Sequence, residues 1–360
     1  MMTRIKHLYL HVPFCSSICY YCDFCHRIFD EKLSERWLDR LEEEIRENCH
    51  GQYETIYIGG GTPTVLSYVQ LESLLGLIAP YAKECIEYTI EVNPESLDEE
   101  KIRLFVQYGI SRISMGVQSS DDAILRSIGR RHSFSDVKEK IRLLKKNGLE
   151  NISVDLMYSL PGQDLDILEK SIDDVVKLEV PHISLYSLTI EENSVFGKKG
   201  ISNLDEEIEE DMYELIGRKL KEKGYIHYEV SNYCLEGYHS RHNMGYWDYE
   251  DFLGVSLSAS GKIGNNRYTN TRSFEKYLGG KDIRDENLYL ENDEMEFEHI
   301  MMSLRTIYGL DIEAFNRKYH CDLLKKYHKG VSNPDIAVKE GRLICTNLEI
   351  LNRILLDFMI

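Results

Sequence analysis

The chain has 360 residues, 42% hydrophobic and 29% charged, which is enough apolar content to bury a full core with a small second unit beside it. Its formal charge of −18 disfavours nucleic acid and anionic lipid as main partners, although a local basic pocket is compatible with it. Apolar runs such as Leu74–Ala79 are far shorter than the roughly 20 residues that cross a bilayer.

In chain order, the first half alternates short β-rich segments with helical ones. Strands are predicted at His7–Val12, Thr55–Ile58, Tyr88–Val92, Arg112–Val117, Ile152–Met157 and His182–Leu188. Helices are predicted at Glu31–Asn48, Val69–Tyr81, Asp98–Tyr108, Asp121–Ile128, Ser135–Lys146 and Leu165–Leu178. Six β-then-α units imply parallel strands, in an open (β/α)6 barrel or a doubly wound sheet. Either places chemistry beyond the C-terminal strand ends. The motif-bearing segments follow the strands: Pro13–Cys25, Gly59–Pro63, Asn93–Pro94, Gln118–Ser119 and Tyr158–Gly162.

Past Ser194 the pattern changes. Leu204–Lys223 reads as a helix, Tyr225–Tyr233 as a strand, Gly237–Tyr268 as a Gly- and aromatic-rich stretch, and Glu294–Tyr319 as a helix. The tail, Asp322–Ile360, reads as a small helical or winged-helix module. This divides the chain into a core barrel (1–194), an extension (195–290) and a C-terminal α+β or helical region (291–360).

Met1–Leu10 lacks the basic and apolar regions of a signal peptide, so a cytoplasmic protein with reduced thiols is expected, peripheral membrane attachment remaining compatible. Nine cysteines in that setting call for metal or catalysis before disulfides. Cys15, Cys19 and Cys22 form C-x3-C-x2-C on a polar, aromatic loop, where thiolates converge on a metal centre. Buried free cysteines, or zinc with Cys25 or His26 as fourth ligand, are the alternatives. Cys25 extends the run, and a closed cluster in an electron carrier would use it; a free thiol is the other reading. Cys49, Cys85, Cys234, Cys321 and Cys345 are scattered and read as ordinary residues.

C-x3-C-x2-C after a first strand, with Gly59-Gly60-Gly61-Thr62-Pro63 after a second, resembles the radical SAM superfamily. Further ordered segments resemble its oxygen-independent coproporphyrinogen III oxidase family: Leu8–Cys15, Glu91–Pro94, Ser114–Ser119, Asp155–Gly162 and His182–Tyr186. The resemblance implies a [4Fe–4S] cluster on Cys15, Cys19 and Cys22, with one iron open to the amino and carboxylate groups of S-adenosylmethionine (SAM). It implies SAM contacts from Tyr9, Gly59, Gly60, Gly61, Thr62, Glu91, Gln118, Arg130 and Asp155, the glycines admitting the amino end and Arg130 pairing with the carboxylate. It also implies a reductant such as flavodoxin or ferredoxin.

Two branches of that family differ here. The oxidases decarboxylate porphyrinogen propionates, carry a longer segment before the cluster, and place Gly-Cys after its third cysteine; here 14 residues precede Cys15, and Asp23-Phe24 follows Cys22. His242-Asn243-Met244-Gly245-Tyr246-Trp247 matches the H-N-x-x-Y-W motif of the HemW-type haem chaperone branch. That branch implies haem as cargo, with His242 as a candidate axial ligand and Tyr246 and Trp247 against the porphyrin. It also implies haem-accepting partner proteins and is compatible with a homodimer. On residue chemistry alone, His242–Trp247 also reads as a structural turn with core aromatics.

Overall fold

The computed structural model describes residues 4–281 and 283–359; the outer limits of the expected first and third regions, at residues 1 and 360, lie outside them. No helix among the described residues is long and apolar enough to cross a membrane.

Six parallel strands form the centre: His7–Val12, Thr55–Gly60, Glu87–Val92, Arg112–Gln118, Ile152–Tyr158 and His182–Ser187. They lie side by side in sequence order, each neighbour in parallel register. A doubly wound sheet reverses its strand order part-way, so the unreversed order selects the open barrel.

The strands alternate strictly. Leu8, Leu10, Ile56, Ile58, Ile90, Ile113, Met115, Val154 and Ile183 belong to the main apolar core, packed with helical residues such as Trp37, Leu41 and Leu74. The other set is polar and bonds across strands: His7 to Thr55, Tyr57 to Glu91, Ser114 to Asp155, and Ser153 to His182. Side chains of a strand point alternately to opposite faces, so this second set faces the barrel interior. The helix Glu31–Asn48 shows how the outer layer docks: Asp30 caps it by accepting from the Leu33 N–H at 2.8 Å, and Ser34, Trp37, Leu38, Leu41 and Ile45 are buried at helical spacing.

The second half extends the sheet on both sides. Phe252–Val255 pairs parallel with the first strand, and Ser260–Ile263, Asn266–Asn270 and Arg284–Tyr289 continue antiparallel from it. At the other edge Asn232–Cys234 and Ile226–Glu229 pair antiparallel beyond His182–Ser187, giving a sheet of twelve strands. The single strand expected at Tyr225–Tyr233 is therefore two strands, because the chain reverses after Glu229. The single helix expected at Glu294–Tyr319 is also two, Asn292–Ser303 and Ile312–Tyr319, since Gly309 at φ 60° turns the chain into the strand Leu310–Asp311. That strand joins Ile336–Lys339 and Arg342–Cys345 in a three-stranded antiparallel sheet beside short helices. A smaller apolar cluster that includes Ile300, Phe315, Leu343 and Phe358 lies there.

Candidate functional site

The loop from Cys15 to Arg27 stands on the C-terminal end of the first strand. Its two ends are zipped by a short parallel pairing of Phe14–Cys15 with Arg27–Ile28. Its middle is tied to the barrel rim, where Tyr20 N–H donates to the Ile128 carbonyl at 3.0 Å and Phe196 N–H to the Tyr20 carbonyl at 2.9 Å. Cys15, Cys19 and Cys22 are half-buried and line one cavity of about 490 Å³, a volume ordinary for a small-ligand pocket. Burial pushes the Cys15 thiol up to about 12 and the Cys22 thiol up to about 11, so these sulfurs hold their protons until a cation replaces them.

A continuous polar network lines the same cavity. The Thr62 hydroxyl faces Cys15 Sγ at 3.7 Å and accepts from Asn93 Nδ2 at 2.9 Å. Arg130 Nη2 donates to Asn93 Oδ1 at 2.8 Å and to the Gly116 carbonyl at 2.5 Å, and Nη1 faces Cys19 Sγ at 3.6 Å. Glu91 accepts from the Tyr57 hydroxyl at 2.8 Å and from Gly60 N–H at 3.0 Å. Burial pushes its carboxyl up to about 7, and burial also raises Asp155.

The glycine loop packs against the first strand too closely for any side chain. A Cβ on Gly61 would lie 2.5 Å from the Phe14 carbonyl oxygen and 2.9 Å from that of Val12, and one on Gly60, at φ 106°, would lie 2.6 Å from the His11 ring. Gln118 sits at φ 63°, unusual for a residue with a side chain, and its buried Oε1 has no partner among the described residues; nor has Arg130 Nε. Three soft sulfur donors, a tight backbone cradle and orphaned buried polar atoms fit an iron–sulfur cluster with a small polar ligand beside it.

Of the expected SAM residues, the structure brings Gly60, Gly61, Thr62, Glu91, Gln118, Arg130 and Asp155 into this cavity with the three cysteines. Gly59 lies behind it, where a Cβ would meet Tyr57 at 2.7 Å and Glu91 at 2.8 Å. The structure places Tyr9 on the wall of a different cavity, its hydroxyl at 3.0 Å from His11 Nδ1 and its ring 6.1 Å from that of Tyr57, which lines the first. Tyr57, Asn93, Ser114 and Tyr186, not named among the expected SAM contacts, also line the first cavity. The signal for Tyr57 was its period-two spacing to Gly59 on one strand face.

That second cavity, of about 560 Å³, lies on the other side of Phe24, which lines both and is 67% exposed. Cys25 lines the second cavity, not the first, and its Sγ reaches the Arg272 carbonyl at 3.5 Å. The wall includes Tyr246, Trp247, Phe252 and Met302, with Lys262, Arg267 and Arg272 among its charged residues.

The radical SAM superfamily profile matches residues 9–175. The haem chaperone HemW of Lactococcus lactis is 38% identical over 92% of this chain and 90% of its own length. The chain belongs to the HemW family of radical SAM proteins. The Bacillus subtilis HemW is 36% identical over 88% of this chain and 87% of its own, and the Escherichia coli HemW is 32% identical over 83% and 82%. The solved coproporphyrinogen III oxidase (HemN) of Escherichia coli, a radical SAM enzyme, superposes with a TM-score of 0.86 over 99% of this chain and 90% of that one. At 19% identity it shares the fold. Membership of the radical SAM superfamily implies a [4Fe–4S] cluster and SAM.

The H-N-x-x-Y-W stretch of this HemW-family chain forms the helix Arg241–Trp247. Glu87, the first residue of the third barrel strand, accepts from the Arg241 and His242 N–H groups at 2.9 Å each. His242 is 1% exposed; its Nδ1 bonds the Thr55 hydroxyl and its Nε2 the Tyr246 hydroxyl, each at 2.7 Å. Thr55 also bonds His7, and His7 bonds Glu250 at 2.6 Å. A Cβ on Gly245 would lie 2.5 Å from the His7 ring, so this helix is pressed against the N-terminal ends of the strands, opposite the cysteine loop. Axial ligation by His242 is therefore corrected: both ring nitrogens are engaged and the ring is sealed in the barrel floor. Tyr246 and Trp247, expected beside it, do reach the second cavity.

Proposed function

We propose that this chain binds haem and passes it to haem-accepting proteins, as the name of its HemW relatives describes. In this reading the first cavity keeps a [4Fe–4S] cluster on Cys15, Cys19 and Cys22 with SAM beside it, and the second takes haem as cargo. The observation that carries the reading is the pair of separate chambers joined at Phe24, one polar with three thiols, the other walled by aromatic and methionine side chains beside cationic groups.

When bound, the cluster supplies one-electron chemistry to the sulfonium of SAM, which calls for an external reductant. The residues of the chain position the ligands. The glycine cradle brings backbone groups of Gly60 and Gly61 close to the amino end of SAM, and the unpartnered Arg130 Nε beside Nη1 suits its carboxylate. Asp155 and Glu91 stand ready to accept from ribose hydroxyls and the amino group. Tyr246 and Trp247 pack against the porphyrin, and Arg272, on the same wall, suits a propionate, while Lys262 and Arg267 are already paired with Asp251 and Glu298. The division into a core barrel (1–194), an extension carrying the Trp247 wall (195–290) and a C-terminal region (291–360) belongs to the same proposal.

The test is an anaerobic titration of ferric haem into the cluster-reconstituted protein, followed by transfer to an apo-haemoprotein. Near-stoichiometric binding and transfer are expected, without decarboxylation of coproporphyrinogen III. The shared fold with the Escherichia coli oxidase favours one rival, so turnover of the porphyrinogen without haem binding would replace the chaperone by the oxidase.

A further inference from the structure

We infer that Cys25 is the axial ligand of the bound haem iron, so that one loop holds the cluster through Cys22 and the cargo through Cys25. The inference deepens the haem-binding reading and rests on it. It begins with a divergence along the loop. Cys22 and Cys25 are three residues apart, yet their thiols line different chambers with Phe24 between them. The chain is held in that course by the Arg27 N–H bond to the Pro13 carbonyl at 2.9 Å, and Arg272 Nη2 reaches across to the Asp23 carbonyl at 2.8 Å.

The other donors on the wall are engaged or weaker. His11 lines the chamber, but its Nδ1 bonds the Tyr9 hydroxyl and its Nε2 the Cys25 carbonyl at 3.1 Å. Met301 and Met302 offer neutral thioethers. Cys25 Sγ has weak partners, the Arg272 carbonyl at 3.5 Å and the Ser258 side chain, which a thiol readily gives up. A thiolate is an established haem ligand and binds ferric iron more firmly than a thioether. Burial raises the Cys25 thiol, and the positive charges of Arg272 and Arg27 oppose that rise without cancelling it, so the sulfur keeps its proton until iron replaces it.

A second observation is independent of the cysteine. The buried indole N–H of Trp247, on the wall of the same chamber, has no partner among the described residues. A buried donor left open beside an aromatic-walled cavity with Arg272 on its rim suits an apolar, flat ligand carrying a carboxylate. In the binding step an iron–sulfur bond forms at ferric haem and the S–H bond of Cys25 breaks. The proton passes to water and the iron stays ferric, so no electron is exchanged. Haem and cluster are then held on one short stretch of backbone, in separate chambers.

The experiment uses the full chain with its cluster reconstituted, as wild type, Cys25→Ser and Cys25→His. Ferric haem is titrated while electron paramagnetic resonance and the absorption of the ferrous carbonyl complex read the axial ligand; iron and sulfide content read the cluster. The wild type is expected to bind haem with a thiolate signature. Cys25→Ser is expected to keep its cluster, lose that signature and bind haem about tenfold or more weakly. Cys25→His is expected to recover affinity with an imidazole signature. Haem bound by the wild type without a thiolate signature, or a signature that survives Cys25→Ser, overturns the assignment. Loss of cluster iron in Cys25→Ser also overturns it, since Cys25 would then serve the cluster. No haem binding by the wild type overturns the reading beneath it.

Discussion

The two chambers on either side of Phe24 are built differently. The first is made where parallel strands end: Cys15, Thr62, Asn93, Gly116 and Arg130 come from successive β-then-α units and bond one another directly. The second has the first strand and the cysteine loop on one side. Its other walls, Tyr246 to Met302, come from more than two hundred residues later in the chain. In the first the polar groups bond one another around three thiols; in the second, rings and thioethers make up much of the wall and the charged groups are paired among themselves, as Lys262 with Asp251 and Arg267 with Glu298. Fixed polar geometry suits a cofactor that stays, since donors aimed in advance hold one ligand in one pose. Adaptable apolar walls suit a cargo that must leave, since they bind by area and demand few exact bonds.

Replacing a cluster thiol tests the separation most severely. Cys19→Ala is expected to reduce bound iron and sulfide to background while haem affinity changes by no more than about threefold. A parallel collapse of haem binding would make the two chambers one unit.

The next largest effect is a pH dependence confined to the first chamber. Below its ordinary value of 4.5 the Glu91 carboxyl is protonated in both folded and unfolded chains, and its burial costs nothing. As pH rises from that value to about 7 the carboxyl ionises in the unfolded chain but stays protonated in the folded one, so stability falls across this window, by about 3 kcal/mol relative to Glu91→Gln, and levels off above it. Thermal melts of the cluster-free pair at pH 4.5 and pH 8 check this; equal slopes would show that Glu91 does not carry the cost.

Smaller, and confined to the second chamber, is Trp247→Ala. Haem affinity is expected to fall by about tenfold, with the effect of SAM on the cluster's resonance spectrum unchanged. The smallest binding effect belongs to His242→Ala. Its haem affinity should stay within about threefold of wild type, while removal of the buried hydrogen bonds to Thr55 and Tyr246 lowers stability by about 1–3 kcal/mol. A loss of haem binding there, with an unchanged melt, would return the histidine to the iron.

The first chamber was largely legible. Period-two strands and capped helices placed six units in order, and the motif residues followed each strand, where a barrel collects them. Alternation assigns Tyr9 a side of its strand but not a partner, and only the fold shows its hydroxyl against His11, two residues on. His242 was misread for a related reason. An exposed imidazole and one locked between two hydroxyls look the same in a motif, and only contacts with Thr55 and Tyr246 distinguish them. The breaks after Glu229 and Ser303 escaped notice because short antiparallel turns leave little periodicity to read.

The sequence by itself determined the six β-then-α units, the cysteine triplet, the glycine loop and the family, because these depend on local periodicity and on spacing within one loop, while the strand order selected the barrel. The tertiary structure decided the rest: the Phe252–Val255 strand laid beside the first, the floor helix sealing His242, and the second cavity with Cys25 on its wall. Those depend on which distant segments pack together. That choice is made by burial and by hydrogen bonds between residues hundreds of positions apart, and no local pattern records it.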